Sequence, residues 1–359
     1  MKDGFLYQKI YDTLYERITT GFYAVGTKLP TETALHQEFD VSLITLKKAL
    51  NMLAEQGLID RIPGKGTFVK VPLTSVSTAD KKLIGVILEH ISSPFGLSMM
   101  YCMDEIAEAN GYKLIIRFSY CSREKETSEI DFLLETGVQG LIIMPSHGQH
   151  YNPAILKLVL DKFPVVLIDK RLQGIEVPSV RTDNTAAMHK LVTYMKSCGC
   201  RHIGLITTGE HDATSTMERC EGFYQGVRAE GLHACPECII PPQETPETPQ
   251  ASAQTVSYIQ EYLLHNRAQI DGLVCSEYGI MAKLVKAASN LQLQLNKDIP
   301  VCCIDEDDLV PGGFTFTHMK QDERMIAEKT MELMFTRLEH GEIPGQDYLI
   351  PAIFKKKNG

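Results

Sequence analysis

Several polar side chains stand directly after apolar runs of the chain, where they could together bind a small polar ligand. The run 165–168 ends at Asp169, and the run 300–304 ends at Asp305. Because every sugar hydroxyl both donates and accepts a hydrogen bond, facing hydroxyl, carboxylate and guanidinium groups suit a polyhydroxy ligand. An aromatic ring can lie on the apolar face of a pyranose. The candidates chosen by this position are Ser92, Phe95, Ser146, Asp169, Arg171, Ser276, Glu277 and Asp305.

These side chains meet only if the strands before them end at one edge of a sheet. Strand-like apolar runs, separated mostly by helical patterns, lie near residues 83–88, 113–118, 139–144, 165–168, 202–207, 271–275 and 300–304. Apolar runs spaced by crossover helices are typical of doubly wound parallel sheets. The predicted fold class is therefore α/β, with two lobes. Ligands of such sheets bind beyond the carboxyl ends of the strands, so a cleft between the lobes is expected.

The amino-terminal segment has a different pattern. Ile10, Leu14 and Ile18 recur at the spacing of an amphipathic helix. A second helix is predicted over 32–39, and Ser42 is placed to N-cap a third. Two short strands around a glycine-containing turn complete the segment. Three helices and a hairpin predict a winged helix-turn-helix domain.

Charge separates the two parts of the chain. The 359 residues carry a formal net charge of −9, yet residues 1–70 hold nine Lys or Arg against eight Asp or Glu. The acidic remainder cannot hold a phosphate backbone by charge. Residues 72–81 are rich in Ser and Thr without an apolar period, which indicates a linker. The predicted domains are 1–71, the winged helix-turn-helix; 72–81, the linker; and 82–356, the ligand-binding domain.

Composition also predicts the cellular location of the protein. Hydrophobic residues make up 44% and charged residues 23% of the chain, the ordinary globular mixture. No apolar run reaches the ~18 to 20 residues of a membrane helix, and the start lacks the order of a signal peptide. We expect a cytoplasmic protein without membrane contact. Its ten cysteines are expected as reduced, mostly buried thiols.

Short sequence motifs in the first 70 residues resemble those of the GntR family of bacterial transcription factors. These motifs include Tyr7-Gln8-Lys9-Ile10, Gly26-Thr27-Lys28-Leu29-Pro30-Thr31-Glu32, Gly57-Leu58-Ile59 and Gly64-Lys65-Gly66-Thr67-Phe68-Val69. The chain departs from the family where arginines are usual: Thr33 replaces one, and Leu43 and Lys47 replace two in a Ser-Arg-x-Thr-x-Arg word. The resemblance implies a DNA-binding domain with fewer arginine contacts.

The departures change the expected DNA sequence. Leu43 and Ile44 can pack on thymine methyl groups but cannot bind guanine as arginine does, so an A·T-biased operator is predicted. Alternatively, Leu43 and Ile44 are buried within the domain. Lysines are expected on phosphates, unless they are a plain solvated face. The predicted DNA contacts are Thr33, Ser42, Leu43, Ile44, Thr45, Lys47, Lys48, Lys65 and Gly66.

Short sequence motifs spread over residues 82–350 resemble those of the effector domain of LacI-like repressors, which is related to periplasmic sugar-binding proteins. They include Ile84-Gly85-Val86-Ile87, Pro164-Val165-Val166-Leu167-Ile168-Asp169, Arg219-Cys220-Glu221-Gly222-Phe223 and Ile304-Asp305-Glu306-Asp307. Joined to a GntR-type domain, this module resembles the arabinose-repressor subgroup. The resemblance implies ligand contacts at Asp169, Arg219, Ser276, Asp305 and Gln321. Ser276 and Glu277 stand where the family often has Asn and Asp, which points away from an ordinary family sugar.

Other interpretations of single residues remain open at this level. Asp169 and Asp183 could cap the elements that follow them, and Arg219 could form an ion pair between the lobes. Cys235 and Cys238 form one C-x-x-C, whereas a structural zinc site needs paired motifs. No metal or cofactor is predicted.

The sequence predicts a regulator rather than an enzyme, because it lacks the common catalytic motifs. The function predicted is a ligand-responsive repressor of carbohydrate-utilisation genes. Its expected partners are double-stranded operator DNA, a sugar-like effector and a second copy of the chain. Two alternatives are a sugar-binding protein with weakened DNA binding and a carbohydrate-modifying enzyme that uses the Glu277 and Asp305 carboxylates.

Overall fold

The computed structural model divides the chain into two compact units, Met1–Lys81 and Lys82–Gly359. The residues it describes are 3–62, 65–70, 82–92, 94–146, 151–209, 213–241, 248–306, 313–341 and 343–357. The linker predicted over 72–81 lies outside them, as does the Pro63-Gly64 tip of the predicted hairpin. None of the described helices is both long and apolar enough to cross a bilayer.

The first unit is a winged helix-turn-helix, as predicted. Its elements are α1 (Asp3–Thr19), α2 (Glu32–Phe39), α3 (Leu43–Glu55), β1 (Ile59–Ile62) and β2 (Gly66–Val69). The two strands pair antiparallel, from Ile59 opposite Val69 to Ile62 opposite Gly66.

The third helix is oriented by its apolar stripe. The Ser42 hydroxyl accepts a hydrogen bond from the Thr45 amide at 3.2 Å, which caps the helix start. Leu46, Leu50 and Leu53 lie at helical spacing and are at most 1% exposed. Because this stripe packs inward, the opposite face of α3 lies toward solvent.

The second unit alternates strands and helices throughout. Its elements are β3 (Leu83–Leu88), α4 (Leu97–Ala109), β4 (Lys113–Phe118), α5 (Arg123–Thr136), β5 (Gly140–Ile143), α6 (Pro153–Leu160), β6 (Val165–Ile168), β7 (Ser179–Thr182), α7 (Asn184–Ser197), β8 (His202–Thr208), α8 (Thr214–Glu230), β9 (His233–Ala234), β10 (Cys238–Ile240), α9 (Pro249–Asn266), β11 (Gly272–Cys275), α10 (Tyr278–Asn290), β12 (Val301–Ile304), β13 (Thr317–Lys320), α11 (Glu323–His340), β14 (Asp347–Ile350) and β15 (Ile353–Lys355).

The strands form two sheets, one in each lobe. The first sheet has the order β14-β7-β6-β5-β3-β4, and the second has β10-β8-β11-β12-β13-β15 with β9 also beside β8. Every pair is parallel except β13 with β15. This confirms the predicted two-lobed α/β fold.

The same short pattern occurs in both lobes. Val165–Ile168 is followed by Asp169, and Val301–Ile304 is followed by Asp305. Both aspartates have left-handed backbones, with φ of 63° and 65°. Each donates its amide to the neighbouring strand, Asp169 to the Val180 carbonyl and Asp305 to the Met319 carbonyl. The two carboxylates therefore occupy equivalent positions in the two lobes.

The chain crosses between the lobes where β7 leads into α7, where β13 leads into α11, and where β14 leads into β15. The first two crossings begin with an aspartate N-cap: Asp183 accepts from the Ala186 amide at 2.9 Å and Asp322 from the Met325 amide at 3.1 Å. Capping is thus the structural role of Asp183, as one of the interpretations above held.

Some strands carry no apolar run and were not predicted. Ser179–Thr182 is fully buried although it contains Ser179 and Arg181. Asp347 accepts hydrogen bonds from both side chains, at 2.5 and 3.1 Å. Because Asp347 lies on the neighbouring strand, only the folded chain makes this polar strand stable in the sheet.

Candidate effector cleft and nucleic-acid interface

A cavity of about 440 Å³ lies between the two lobes of the second unit. It is positioned at the carboxyl ends of the parallel strands, where ligands bind in open α/β sheets. Its wall from the first lobe consists of Glu89, His90, Ser92, Pro94, Phe95, Cys121, Met144, Asp169 and Lys170. Its wall from the second lobe consists of Ala213, Ser215, Thr216, Arg219, Glu277, Tyr278, Gly279, Asp305 and Gln321.

Arg219 projects from α8 and is 8% exposed. Its Nε donates to Asn184 Oδ1 at 2.8 Å, and its Nη1 donates to the Ser276 carbonyl at 3.1 Å. Gly222 allows α8 to approach α7, because a Cβ there would lie 2.4 Å from the Thr185 carbonyl oxygen. Arg219 thus binds neutral groups of its own lobe, rather than forming the interlobe ion pair considered above.

Asp305 lies at the end of β12 and is 5% exposed. Its carboxylate accepts from the Gln321 amide at 3.1 Å and from Gln321 Nε2 at 2.7 Å. Burial raises the pKa of Asp305, whereas the charge of Arg219 and the hydrogen bonds from Gln321 oppose that rise. The carboxylate is therefore held in place by donors that its own lobe supplies.

A chain of hydrogen bonds joins this wall to the crossings between the lobes. Thr182 Oγ1 donates to Gln321 Oε1 at 2.6 Å, and Asn184 Nδ2 donates to the Thr182 carbonyl at 3.3 Å. Gln321 holds Asp305, and Asn184 holds Arg219. Both cleft groups are thus hydrogen-bonded to residues at which the chain passes between lobes.

The first-lobe wall is built around a buried ion pair. Lys170 Nζ contacts the Glu89 carboxylate, and the two residues are 7% and 2% exposed. Burial acts to lower the pKa of Lys170, but the charges of Glu89 and Asp169 outweigh it and raise that pKa. Lys170 is consequently held as a cation that is already paired.

The predicted ligand contacts are divided between the cavity and its surroundings. Ser92, Phe95, Asp169, Arg219, Glu277, Asp305 and Gln321 lie in the cavity wall. Ser146, Arg171 and Ser276 do not.

Each of these three has a structural partner instead. The Ser146 amide donates to Glu126 at 2.7 Å, and Arg171 Nη1 donates to Asp347 at 2.9 Å. Ser276 is buried, and its carbonyl positions Arg219. Successive residues at a strand end point in different directions, so a position after an apolar run does not ensure access to the cleft.

Several wall residues escaped the sequence analysis. Glu89 and His90 follow β3 directly, so the rule applied to other strands could have found them. Ser215 and Thr216 in the first turn of α8 gave no such signal. In the described part of the chain, the ligand-type atoms of Glu89, His90 and Cys121 lie within 4.8 Å of one another. A metal ion there would compete with the Lys170 ammonium for Glu89.

The predicted DNA-contacting surface lies at the start of α3 and on the β1–β2 hairpin. Leu43 is 46% exposed and Ile44 is 82% exposed, so neither is buried within the domain as the alternative supposed. Thr33, Lys47 and Lys65 are also exposed. A surface that combines apolar and cationic groups can meet both base methyls and phosphates.

Other predicted DNA contacts also have roles within the unit. Lys48 Nζ lies 3.8 Å from the centre of the Tyr7 ring, and the hydroxyls of Ser42 and Thr45 lie 2.8 Å apart. Gly66 has φ of 117°, and a Cβ there would lie 2.3 Å from Lys28 Cε. Side chains other than Gly would strain this turn.

Arg61 is a residue of this unit that the sequence analysis missed. It donates to Asn51 on α3 at 2.5 Å and contacts the Glu32 carboxylate on α2. It thereby links the hairpin to α2 and to α3, the helix that presents Leu43 and Ile44.

Comparison with known proteins agrees with this geometry. Residues 81–290 match the family model of periplasmic binding proteins and the sugar binding domain of the LacI family. The chain belongs to this family. Residues 6–69 also match the model of bacterial regulatory proteins of the gntR family, which confirms the resemblance and the domain type predicted for the first unit.

Two transcriptional repressors of other bacteria are similar over most of the chain. The arabinose metabolism transcriptional repressor of Geobacillus stearothermophilus is 26% identical over 64% of this chain and 62% of its own length. The repressor of the same name from Halalkalibacterium halodurans is 23% identical over 84% of this chain and 81% of its own length.

A solved structure shares the fold of the second unit. The Cra transcriptional dual regulator of Pseudomonas putida, in complex with fructose 1-phosphate, has a TM-score of 0.64 at 17% identity. That similarity covers 77% of this chain and 99% of the Cra chain.

Proposed function

We propose that this protein is a transcriptional repressor of carbohydrate-utilisation genes that binds operator DNA as a homodimer and responds to a sugar in the interlobe cleft. The observation that carries the proposal is the cleft wall of Arg219 and Asp305, hydrogen-bonded to the interlobe crossings, in a chain that also has a winged helix-turn-helix. Its function on DNA implies a cytoplasmic location.

The cleft groups suit hydroxyl groups of a sugar. A guanidinium can donate to adjacent hydroxyls, and a carboxylate can accept from two more. Arg219 and Asp305 are held by other protein groups, so a sugar meets them with little loss of side-chain freedom. Phe95 in the facing wall offers a ring for the apolar face of the sugar.

The response to sugar follows from the position of the crossings. A sugar that contacts both walls binds a closed arrangement of the lobes better than an open one. The shift between arrangements is limited by that difference in affinity. Because Gln321 and Asn184 lie at the crossings, closure of the cleft changes the backbone there, and this change biases DNA binding.

The first unit is proposed to place α3 in the major groove. Leu43 and Ile44 then pack on thymine methyls, so the operator is rich in A·T pairs at these positions. A homodimer carries one such helix in each subunit, and the operator therefore consists of two symmetric half-sites.

The decisive experiment measures both partners together. A thermal-shift screen against pentoses, hexoses, uronates and sugar phosphates identifies the effector. A gel shift with operator selected from random DNA then measures the effect of that effector on DNA binding. Failure to bind any DNA at low salt would leave a sugar-binding protein, and chemical conversion of the sugar would reveal an enzyme.

Subunit association is tested independently. Analytical ultracentrifugation should show a dimer, alone or on operator DNA. A monomer in both conditions would contradict the proposed two-fold operator.

Lysine substitutions test the DNA surface. Lys47→Ala should weaken binding to all sequences alike and reduce the salt slope by about one, because one phosphate contact is lost. Lys297→Ala removes the same charge from an exposed site in the second unit and should leave the slope unchanged. Equal slopes for Lys47→Ala and the parent protein would exclude Lys47 as a phosphate contact.

Leu43→Arg tests base recognition at the same helix. It should shift preference toward guanine at one position per half-site by ~1 to 3 kcal/mol. Selection from random DNA measures this shift. A G-rich site already preferred by the parent protein would contradict the thymine-methyl contact.

A further inference from the structure

The interlobe cleft combines an acidic wall with a cation that is already paired. Among the described wall residues, carboxylates outnumber full cations by four to two: Glu89, Asp169, Glu277 and Asp305 against Lys170 and Arg219. Carboxylates remain in excess even with Asp305 protonated. A ligand that carries a negative charge therefore enters a field of its own sign.

The two cations do not reverse this field. Lys170 is buried and contacts Glu89, and Asp169 is adjacent to it in the wall. Arg219 donates hydrogen bonds to Asn184 and to the Ser276 carbonyl, and it interacts electrostatically with Asp305. Neither cation is thus available as a bare charge for a carboxylate or phosphate.

One feature of the wall acts in the opposite direction. The first turn of α8 contributes Ser215, Thr216 and Arg219 to the cavity, and a helix N-terminus attracts anions. Its macrodipole corresponds to only about half an elementary charge. That half charge is smaller than the excess of carboxylates in the wall.

From this arrangement we infer that the cleft selects an uncharged sugar over its acid or phosphate derivatives, and that Glu89 and Asp169 determine this selectivity by neutralising Lys170. The inference rests on the proposed sugar-sensing function and names the class of its effector. In the complex of Cra, the same fold holds a phosphorylated sugar. The fold alone therefore does not decide the charge of the ligand, and the residues of the wall do.

The test compares neutral sugars with their anionic derivatives. Isothermal titration calorimetry uses two pairs in which the anionic member keeps the sugar ring, D-galactose with D-galacturonate and D-glucose with glucose 6-phosphate. In the parent protein, the neutral member of the binding pair should bind at least about tenfold more tightly, because like charges in a cleft repel. Tighter binding of an anionic member would overturn the inference and leave sugar sensing intact.

Substitutions test the selectivity residues. Glu89→Gln exposes the charge of Lys170 and should shift the affinity ratio toward the anionic member by about tenfold. Asp169→Asn, at a partly exposed position, should shift the affinity ratio in the same direction. It tests the role of the Lys170 cluster independently if Glu89→Gln does not fold. Glu221→Gln removes the same charge from the exposed face of α8 and should leave the ratio unchanged.

The outcomes separate the two proposals. An unchanged ratio in folded Asp169→Asn and Glu89→Gln would overturn the role of the Lys170 cluster. If no sugar of either charge binds or alters operator binding, the proposed function itself fails, and this inference with it.

Discussion

The two walls of the cleft begin from the same short pattern and end with different chemistry. Asp169 and Asp305 follow equivalent strands and share a left-handed backbone. Asp169 lies beside the buried Lys170–Glu89 pair and is partly exposed. Asp305 is almost completely buried and accepts two hydrogen bonds from Gln321. Equivalent backbone positions therefore do not imply equivalent functions.

The difference lies in what each carboxylate is connected to. The first wall balances its charges within the lobe, through Glu89 and Lys170. The second wall leads through Gln321 to Thr182, and hence to the crossings between lobes. We expect the first wall to set which ligand is accepted and the second wall to supply affinity and transmit the response.

The largest effect is expected for Arg219→Ala. Loss of a largely buried charged donor should cost ~1.5 to 3 kcal/mol of sugar binding, or about ten- to a hundredfold in affinity. The variant should still bind operator but not respond to the effector. Calorimetry and a gel shift with and without effector measure both effects.

Arg171→Ala is the matched control. Its guanidinium pairs with Asp347 outside the cavity wall. It should retain the parent's sugar affinity, since exposed ion pairs contribute little. Unchanged affinity in Arg219→Ala would show that the cleft does not bind the effector.

Asp305→Ala and Asp169→Ala compare the equivalent carboxylates directly. Asp305→Ala should weaken binding of the neutral sugar by about tenfold, because a charged acceptor is lost and Gln321 loses its partner. Asp169→Ala should weaken it by about threefold or less, since Asp169 is partly exposed. The reverse order, measured by calorimetry, would reverse the functions assigned to the two walls.

Thr182→Val tests the connection to the crossings. It leaves Gln321 Oε1 without the Thr182 donor and should lower the free energy of unfolding by about 1 to 3 kcal/mol. Thr330→Val is the control, because the buried Thr330 hydroxyl has no hydrogen-bond partner among the described residues. If both substitutions lowered the free energy of unfolding equally in denaturant, the hydrogen bond between Thr182 and Gln321 would not contribute to stability.

The smallest expected effect is a difference in pH dependence. Burial raises the folded-state pKa of Asp305, so its protonated form favours folding. That stabilisation is complete below the unfolded-state pKa of about 3.9 and is lost as the pH rises through the folded-state value. Asn, like the protonated form, carries no charge, and it stays uncharged at every pH.

Asp305→Asn should therefore gain stability relative to the parent protein as the pH rises above about 4. Thermal unfolding of both proteins over a series of pH values measures the difference between their stabilities. A loss of stability by Asp305→Asn relative to the parent protein as the pH rises would mean that the fold stabilises the charged carboxylate of Asp305.

Local patterns allowed much of the first unit to be predicted. The cap at Ser42 and the inward stripe of Leu46, Leu50 and Leu53 lie within twelve positions of one another, so the exposed face of α3 follows from helical spacing. Seven of the ten predicted ligand contacts lie in the cavity wall, most of them chosen because they follow apolar strands. Ser146 and Arg171 satisfied the same rule, yet their partners Glu126 and Asp347 direct them elsewhere.

The sequence by itself determined the two domain types, the alternation of strands and helices, and the edge of the sheets at which a ligand can bind. These features depend on the spacing of residues within single helices or strands, or on short motifs of consecutive residues. Only the tertiary structure decided that Lys170 is paired with Glu89, and that Arg219 and Asp305 are both linked to the interlobe crossings. The partners Glu89 and Lys170 are 81 positions apart, and Thr182 and Gln321 are 139 apart. The Glu89–Lys170 pair exists only after the first sheet has formed, and the Thr182–Gln321 hydrogen bond only after both sheets have formed, because burial and distance set their strength.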